Sequence, residues 1–266
     1  MDSIIKIEYL NDYFFDKIKE YIWILQFVSK NFYLKIKKYK FKKQDILNII
    51  SINKKILKWS INNLNFKINR DIEIISIQNH NLKLIKYLKK TNYNFDEKSF
   101  IIAIIKNDIE IIKYFDKLNI PCSSEGSIKA SENGNLNILK YLHYNDYSIN
   151  YTKCFSKALY NGHTNIILYI ENYLNFDLIL NQMSWQICCC RGYLDILKIF
   201  IKYFKNKFSI YYSIYNALVC NQNHIIKYIY DIDKFKFVDM INTNNNSNKL
   251  KEIACYNKNY EIIKFL

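Results

Sequence analysis

Pairs of neighbouring apolar residues recur along this chain at Ile56/Leu57, Leu84/Ile85, Ile111/Ile112, Ile138/Leu139, Ile166/Ile167, Ile196/Leu197, Ile225/Ile226 and Ile262/Ile263. Their first members are 28, 27, 27, 28, 30, 29 and 37 residues apart, and most pairs are followed by a lysine and an aromatic residue. A small residue precedes most pairs at a constant offset: Ala103, Ala130, Ala158, Cys188, Ala217 and Ala254. Between the two features stands Asn107, Gly134, Gly162, Gly192 or Asn221. Apolar residues at helical spacing, then glycine or asparagine, then a new apolar pattern predict two antiparallel helices joined through a left-handed cap. The small side chain of the first helix allows neighbouring helices to approach closely.

The phrase ASENGNLNILKYL from Ala130 to Leu142 returns as ALYNGHTNIILYI from Ala158 to Ile170 and as CCCRGYLDILKIF from Cys188 to Phe200. Self-similarity at this period marks a solenoid, in which each helix pair buries its apolar face against its neighbours. The expected fold is an all-α solenoid of stacked helix-turn-helix repeats that folds as one elongated domain. It spans residues 46–266 in about seven to eight units, the first and last atypical, behind a helical segment over residues 1–45. His80 and Lys258 fall in the turn column but fit it less well than glycine or asparagine, as does Ile52 in the first unit. The long final spacing is assigned to the polar segment Thr243 to Asn248. With one proline, Pro121, and four glycines, little material is left for turn-rich sheets.

These phrases resemble the ankyrin repeat, whose helix pair carries an alanine, then AsnGlyHis or AsnGlyAsn, then an apolar pair before lysine. The resemblance covers about residues 72–266 and is closest to the degenerate arrays encoded by giant DNA viruses of amoebae. These units are shorter than the usual ankyrin repeat and lack its ThrProLeuHis opening, so projecting fingers such as Asn145 to Asn150 are expected to be short or irregular. The resemblance implies a non-catalytic scaffold that binds a protein, a host protein if the chain is viral. It also implies that first helices and fingers line the binding face. Positions one before and two after the repeated alanine then face a partner: Lys129, Glu132, Lys157, Tyr160, Asn216 and Tyr256. Residues 14–36 faintly resemble the end of an F-box. That likeness implies a second role, docking a Skp1-type protein as a ubiquitin-ligase adaptor; the alternative is a cap that shields the first repeat.

The net charge of +15 raises nucleic acid as a partner, and residues 1–70 hold nine of those charges. Lys35, Lys37, Lys38, Lys40, Lys42 and Lys43, interleaved with Tyr39 and Phe41, form the candidate polyanion-binding run. Lysine is abundant throughout, however, and Arg70 and Arg191 are the only arginines, so nucleic acid is the disfavoured partner. A lysine column, Lys58, Lys86, Lys113, Lys140, Lys198, Lys227 and Lys264, is broken only by Leu168. Acids three residues before several members, Glu110, Asp195 and Glu261, favour local helix pairs and a solvated face.

Seven cysteines without regular pairing suit a reducing compartment, and Cys188 to Cys190 point in three directions from one helix. No zinc-ligand spacing, phosphate loop or nucleophile with a partnered histidine stands out, so neither cofactor, metal nor enzymatic activity is expected. His80, His163 and His224 lie in or near turns, where structural roles are expected. The start lacks the layout of a secretory signal, and no apolar run reaches the roughly 18 residues of a membrane span. An intracellular, cytoplasmic location follows. Ile262, Ile263, Phe265 and Leu266 stand without a polar capping helix, so either something outside the chain, a partner or a second copy, is expected to cover that end or the gene product has been shortened.

Overall fold

The computed structural model describes residues 57–58, 68–174, 181–204, 209–242, 246–263 and 266. The segment 1–45 and the run Lys35 to Lys43 lie outside the described residues. By internal contact the chain divides into two compact units, Met1–Pro121 and Cys122–Leu266. Among the described residues there is no strand. The protein is all-α, and its helices pack in consecutive pairs.

In the first unit, α1 (Arg70–Gln78) pairs with α2 (Leu82–Lys90), and α3 (Glu97–Ile105) with α4 (Ile109–Lys117); α1 and α3 pack side by side. In the second unit the pairs are α5 (Ser124–Glu132) with α6 (Leu136–Tyr144), α7 (Tyr151–Asn161) with α8 (Thr164–Glu171), and α9 (Gln182–Arg191) with α10 (Leu194–Phe204). Beyond them, α11 (Ile210–Val219) packs on α12 (Asn223–Ile232), and α13 (Lys234–Asn242) precedes α14 (Asn246–Tyr256) and α15 (Tyr260–Ile263). The first helices of successive pairs form a row, α5, α7, α9, α11 and α14.

One backbone device builds every pair. His80, Asn107, Gly134, Gly162, Gly192, Asn221 and Lys258 all have φ between 54° and 77°. The amide of the following residue donates to the carbonyl of the small-column residue five positions back: Asn81 to Ser76, Asp108 to Ala103, Asn135 to Ala130, His163 to Ala158, Tyr193 to Cys188, Gln222 to Ala217 and Asn259 to Ala254. All seven bonds are 2.8 to 3.1 Å long. This left-handed cap satisfies helix-end carbonyls and reverses the chain. His80 and Lys258 therefore belong fully to the turn column, because the reversal and its hydrogen bond impose the conformation on whatever residue stands there. Ser76 joins the small column, and all seven of its members are fully buried.

A second left-handed column closes the second helices α2, α4 and α6 at Asn92, Asn119 and Asp146. The amides of Tyr93, Ile120 and Tyr147 donate back to Leu88, Phe115 and Leu142 at 3.0 to 3.1 Å. Three linking residues then lead to the cap of the next first helix. Asp96 accepts from the Ser99 amide at 3.0 Å, Ser123 from Glu125 at 3.3 Å, and Asn150 from Lys153 at 3.0 Å. These links are the short fingers, with no hairpin in any of the three.

The long final spacing contains the additional helix α13; of the polar segment, Thr243 to Asn245 lie outside the described residues and Asn246 to Asn248 open α14. Phe237 and Ile241, one turn apart, bury α13 against its neighbours, and the Asp233 carboxylate caps it by accepting from the Lys236 amide at 3.1 Å. In the first unit, Arg70 forms a two-pronged ion pair with Asp96 at 2.8 and 3.0 Å, joining α1 to the cap of α3. Beside it the buried Glu73 accepts from the Tyr93 hydroxyl at 2.6 Å through one oxygen; its other oxygen, Oε1, has no hydrogen-bond partner.

Candidate functional site

All six predicted partner-facing residues lie on the row of first helices in the second unit, and none is buried. Their side chains are not equally free. Glu132 bridges Lys129 and Lys157 at 2.6 Å each, tying α5 to α7. The hydrogen bonds from Lys129 and then Lys157 hold its carboxyl below the usual range. Tyr160, half exposed, carries the Arg191 guanidinium 3.9 Å above its ring, a cation–π contact between α7 and α9. Tyr256 is 88% exposed, the most open aromatic of the six positions.

Asn216 belongs to an open groove between α9 and α11, lined by Asn181, Gln182, Trp185, Ser209, Tyr212, Ser213 and Asn216. Two of these serve the fold: Asn181 caps α9, and Ser213 donates to the Ser209 carbonyl at 2.8 Å. Trp185 stands edge-on to Phe200, with ring centroids 5.6 Å apart, which anchors its indole in the wall. Among the described residues, the Gln182 and Asn216 side-chain amides and the Tyr212 hydroxyl have no hydrogen-bond partner. Among the described residues the lining of the groove carries no charged side chain, on a chain of +15. The wall offers amide donors and acceptors beside aromatic surface, a combination that suits an uncharged polar segment better than a polyanion.

Only Asn216 of these seven was predicted, because the column rule stopped at one position before and two after the repeated alanine. Ser213, Tyr212 and Ser209 precede it by three, four and seven residues on the same face of α11. That helical spacing was the signal, and it was legible.

The histidines of the turns are structural. The ring of His163 lies on Gly134, and its Nε2 donates to the Glu132 carbonyl at 3.0 Å, which fixes the tautomer. His224 donates in the same way to the Gly192 carbonyl at 3.0 Å, while His80 meets Asp108 at 2.8 Å. His143, beyond the turns, has the hydroxyls of Tyr151 and Tyr169 each 2.9 Å from its Nδ1, within a cluster that includes Tyr173.

The lysine column is partly committed to neighbouring repeats. Lys86 lies over the Tyr114 ring at 5.6 Å, Lys140 over Tyr169 at 5.5 Å and Lys198 over Tyr228 at 5.5 Å. Where Leu168 interrupts the column, the succeeding repeat has Ile199 in place of the aromatic residue. Two of the expected local pairs form, Glu110 with Lys113 at 3.7 Å and Asp195 with Lys198 at 3.6 Å. Glu261 reaches Lys227 of the preceding repeat, and its expected partner Lys264 lies outside the described residues.

Among the described residues, no group of three or more His, Cys, Asp or Glu is placed to hold a metal ion, and no helix is long and apolar enough to cross a membrane. Cys188 and Cys189 are core residues, Cys190 and Cys220 half-buried, and Cys255 exposed. Fold and surface together define a class: an all-α protein of repeated helix pairs, with a row of first helices along its second unit. No protein-family model matches the chain, and no curated protein is similar to it in sequence.

Proposed function

We infer that this protein is a non-catalytic interaction scaffold of ankyrin-like repeats whose first-helix row receives a segment of another protein. The observation that carries this reading is the groove of Gln182, Trp185, Tyr212 and Asn216 between α9 and α11, uncharged among the described residues. Aromatic surface supplies interface energy, and free amides pair with a peptide backbone without needing a charged partner. The resemblance to arrays of giant amoebal viruses makes an amoebal host protein the first partner to seek.

The test compares full-length wild-type protein with the triple variant Gln182→Ala, Tyr212→Ala, Asn216→Ala as baits in amoebal lysate, followed by cross-linking of whatever is retained. A partner whose cross-links map to α9 and α11, and which the folded triple variant loses, supports the reading. Retention of the same proteins by both baits, with cross-links elsewhere, removes the groove from it.

A further inference from the structure

Of the chain's two arginines, Arg70 is engaged by Asp96, whereas Arg191, the last residue of α9, contacts no carboxylate among the described residues. Its guanidinium carbon lies 3.9 Å from the centroid of the Tyr160 ring on α7. The equivalent place in the two preceding repeats holds an asparagine, Asn133 and Asn161. The stack is held from behind: the Tyr193 ring covers Gly162, and the Tyr193 hydroxyl donates to the Tyr160 carbonyl at 3.3 Å. A guanidinium seated on a ring face keeps N–H groups in its own plane for a second partner.

The surroundings favour an anion. The first helices α5, α7 and α9 carry four cations, Lys129, Lys153, Lys157 and Arg191, against two carboxylates, Glu125 and Glu132. Both carboxylates are already met by lysine, Glu125 at 4.0 Å and Glu132 at 2.6 Å. Lys153, Lys157 and Tyr160 stand at i, i+4 and i+7, on one face of α7. Lys153 and Arg191, neither of which contacts a carboxylate among the described residues, therefore border the same exposed strip.

We propose that the Tyr160–Arg191 stack anchors an acidic side chain, Asp or Glu, of the segment that the first-helix row receives. This rests on the scaffold reading and adds a sequence requirement to it. The carboxylate pairs with two guanidinium N–H groups, a planar geometry that lysine does not offer. The ring holds the guanidinium in place beforehand, so less side-chain freedom is lost on pairing. Arg191 leans from α9 towards α7, and the groove of Gln182 and Asn216 lies between α9 and α11. Arg191 is nine residues beyond Gln182. That is a rise of about 13 Å, which an extended chain covers in about four residues. The partner segment is an uncharged polar stretch with an acidic residue about four positions from the one held at Gln182. A nucleic acid fits less well, since it would cross a groove whose described lining carries no cation.

The experiment measures binding of the full chain to short synthetic peptides of Asn, Ser, Thr, Gly and Tyr, each made with Glu, Gln or Lys at one position. The best Glu peptide is expected to bind about three- to ten-fold more tightly than its Gln counterpart. Arg191→Gln abolishes the difference, and Arg191→Lys and Tyr160→Leu each reduce it. Tyr160→Phe, which keeps the ring, and Lys236→Gln, which removes an exposed cation of α13, leave it unchanged. The proposal is overturned if Glu peptides bind no better than Gln peptides, or if the preference survives Arg191→Gln. It is also overturned if a single-stranded oligonucleotide binds more tightly than every Glu peptide and loses that binding in Arg191→Gln. The variants alter exposed side chains, and melting curves beforehand confirm that they fold. The triple variant Gln182→Ala, Tyr212→Ala, Asn216→Ala separates the two readings: unchanged peptide binding removes the groove, while a Glu preference that depends on Arg191 still supports the anchor.

Discussion

The imidazole of His163 lies so close over Gly134 that a Cβ built on the glycine would stand 2.8 Å from the ring's Cε1 and Nδ1. The same relation recurs one repeat on, where a Cβ on Gly162 would meet the Tyr193 ring at 2.7 Å. A Cβ on Gly192 would collide with Gln222 and approach His224 to 2.8 Å. Glycine thus answers two demands, the left-handed backbone and a large side chain from the next repeat. Where the turn residue is His80 or Asn221, the following repeat offers the smaller Asp108 or Asn259 instead.

Replacing Gly134 by alanine is therefore expected to cost about 1–3 kcal/mol, combining backbone strain with the clash. His163→Ala removes the ring and leaves the strain alone, so the double variant should lose less than the two single losses added together. Asn221→Gly, which changes a turn already free of such a ring, should stay within about 0.5 kcal/mol. Urea melts of the four proteins decide this, and strict additivity would mean that the ring does not select the glycine.

The small column makes the opposite demand. Ala158 is fully buried, and its carbonyl accepts the His163 amide at 2.9 Å. Ala158→Leu is expected to destabilise by about 1–3 kcal/mol or more through overpacking between α7 and its neighbours. Cys188→Ala, at the same place in the next repeat, should cost less than about 1.5 kcal/mol, since the column already accepts alanine. Thermal melting distinguishes the two.

Acid should weaken the fold through Asp96 and Glu132. Arg70 above all holds the Asp96 carboxyl below the usual carboxylate range, and Lys129 with Lys157 does the same for Glu132. Each carboxylate binds fewer protons folded than unfolded, so its contribution is complete above the unfolded value near pH 4 and is lost as pH falls through the lower folded value. Melting temperature measured from pH 6 down to pH 2.5 should decline, and Glu132→Gln should flatten part of that decline. A Glu132→Gln profile parallel to wild type would show that the bridge to the two lysines carries no linked stability.

The lysine and tyrosine columns should be coupled across repeats. Removing the cation with Lys140→Met should cost about 0.5–1 kcal/mol, and nothing further once Tyr169→Leu has removed the ring. Introducing the missing pair with Leu168→Lys and Ile199→Tyr should outperform the sum of the single changes by about 0.5 kcal/mol. A double-mutant cycle at low and high salt measures both terms.

Sequence by itself determined the all-α class, the helix pairs, the turn column and the candidate positions on the first helices. Each depends on local physics: an apolar stripe at helical spacing, a cap residue, a backbone able to adopt positive φ. Where single-residue preference misled, at His80 and Lys258 in the turn, the chain reversal and its hydrogen bond imposed the conformation. The tertiary structure alone decided which side chains meet: His163 on Gly134, Lys157 on Glu132, Lys140 over Tyr169, and Gln182 across from Asn216. These partners are 25 to 34 residues apart, so their contact depends on how far one helix pair shifts and rotates against the next. That register is set by the fully buried small column and the apolar pairs packing together, and a linear pattern of residue types contains no distance between helices.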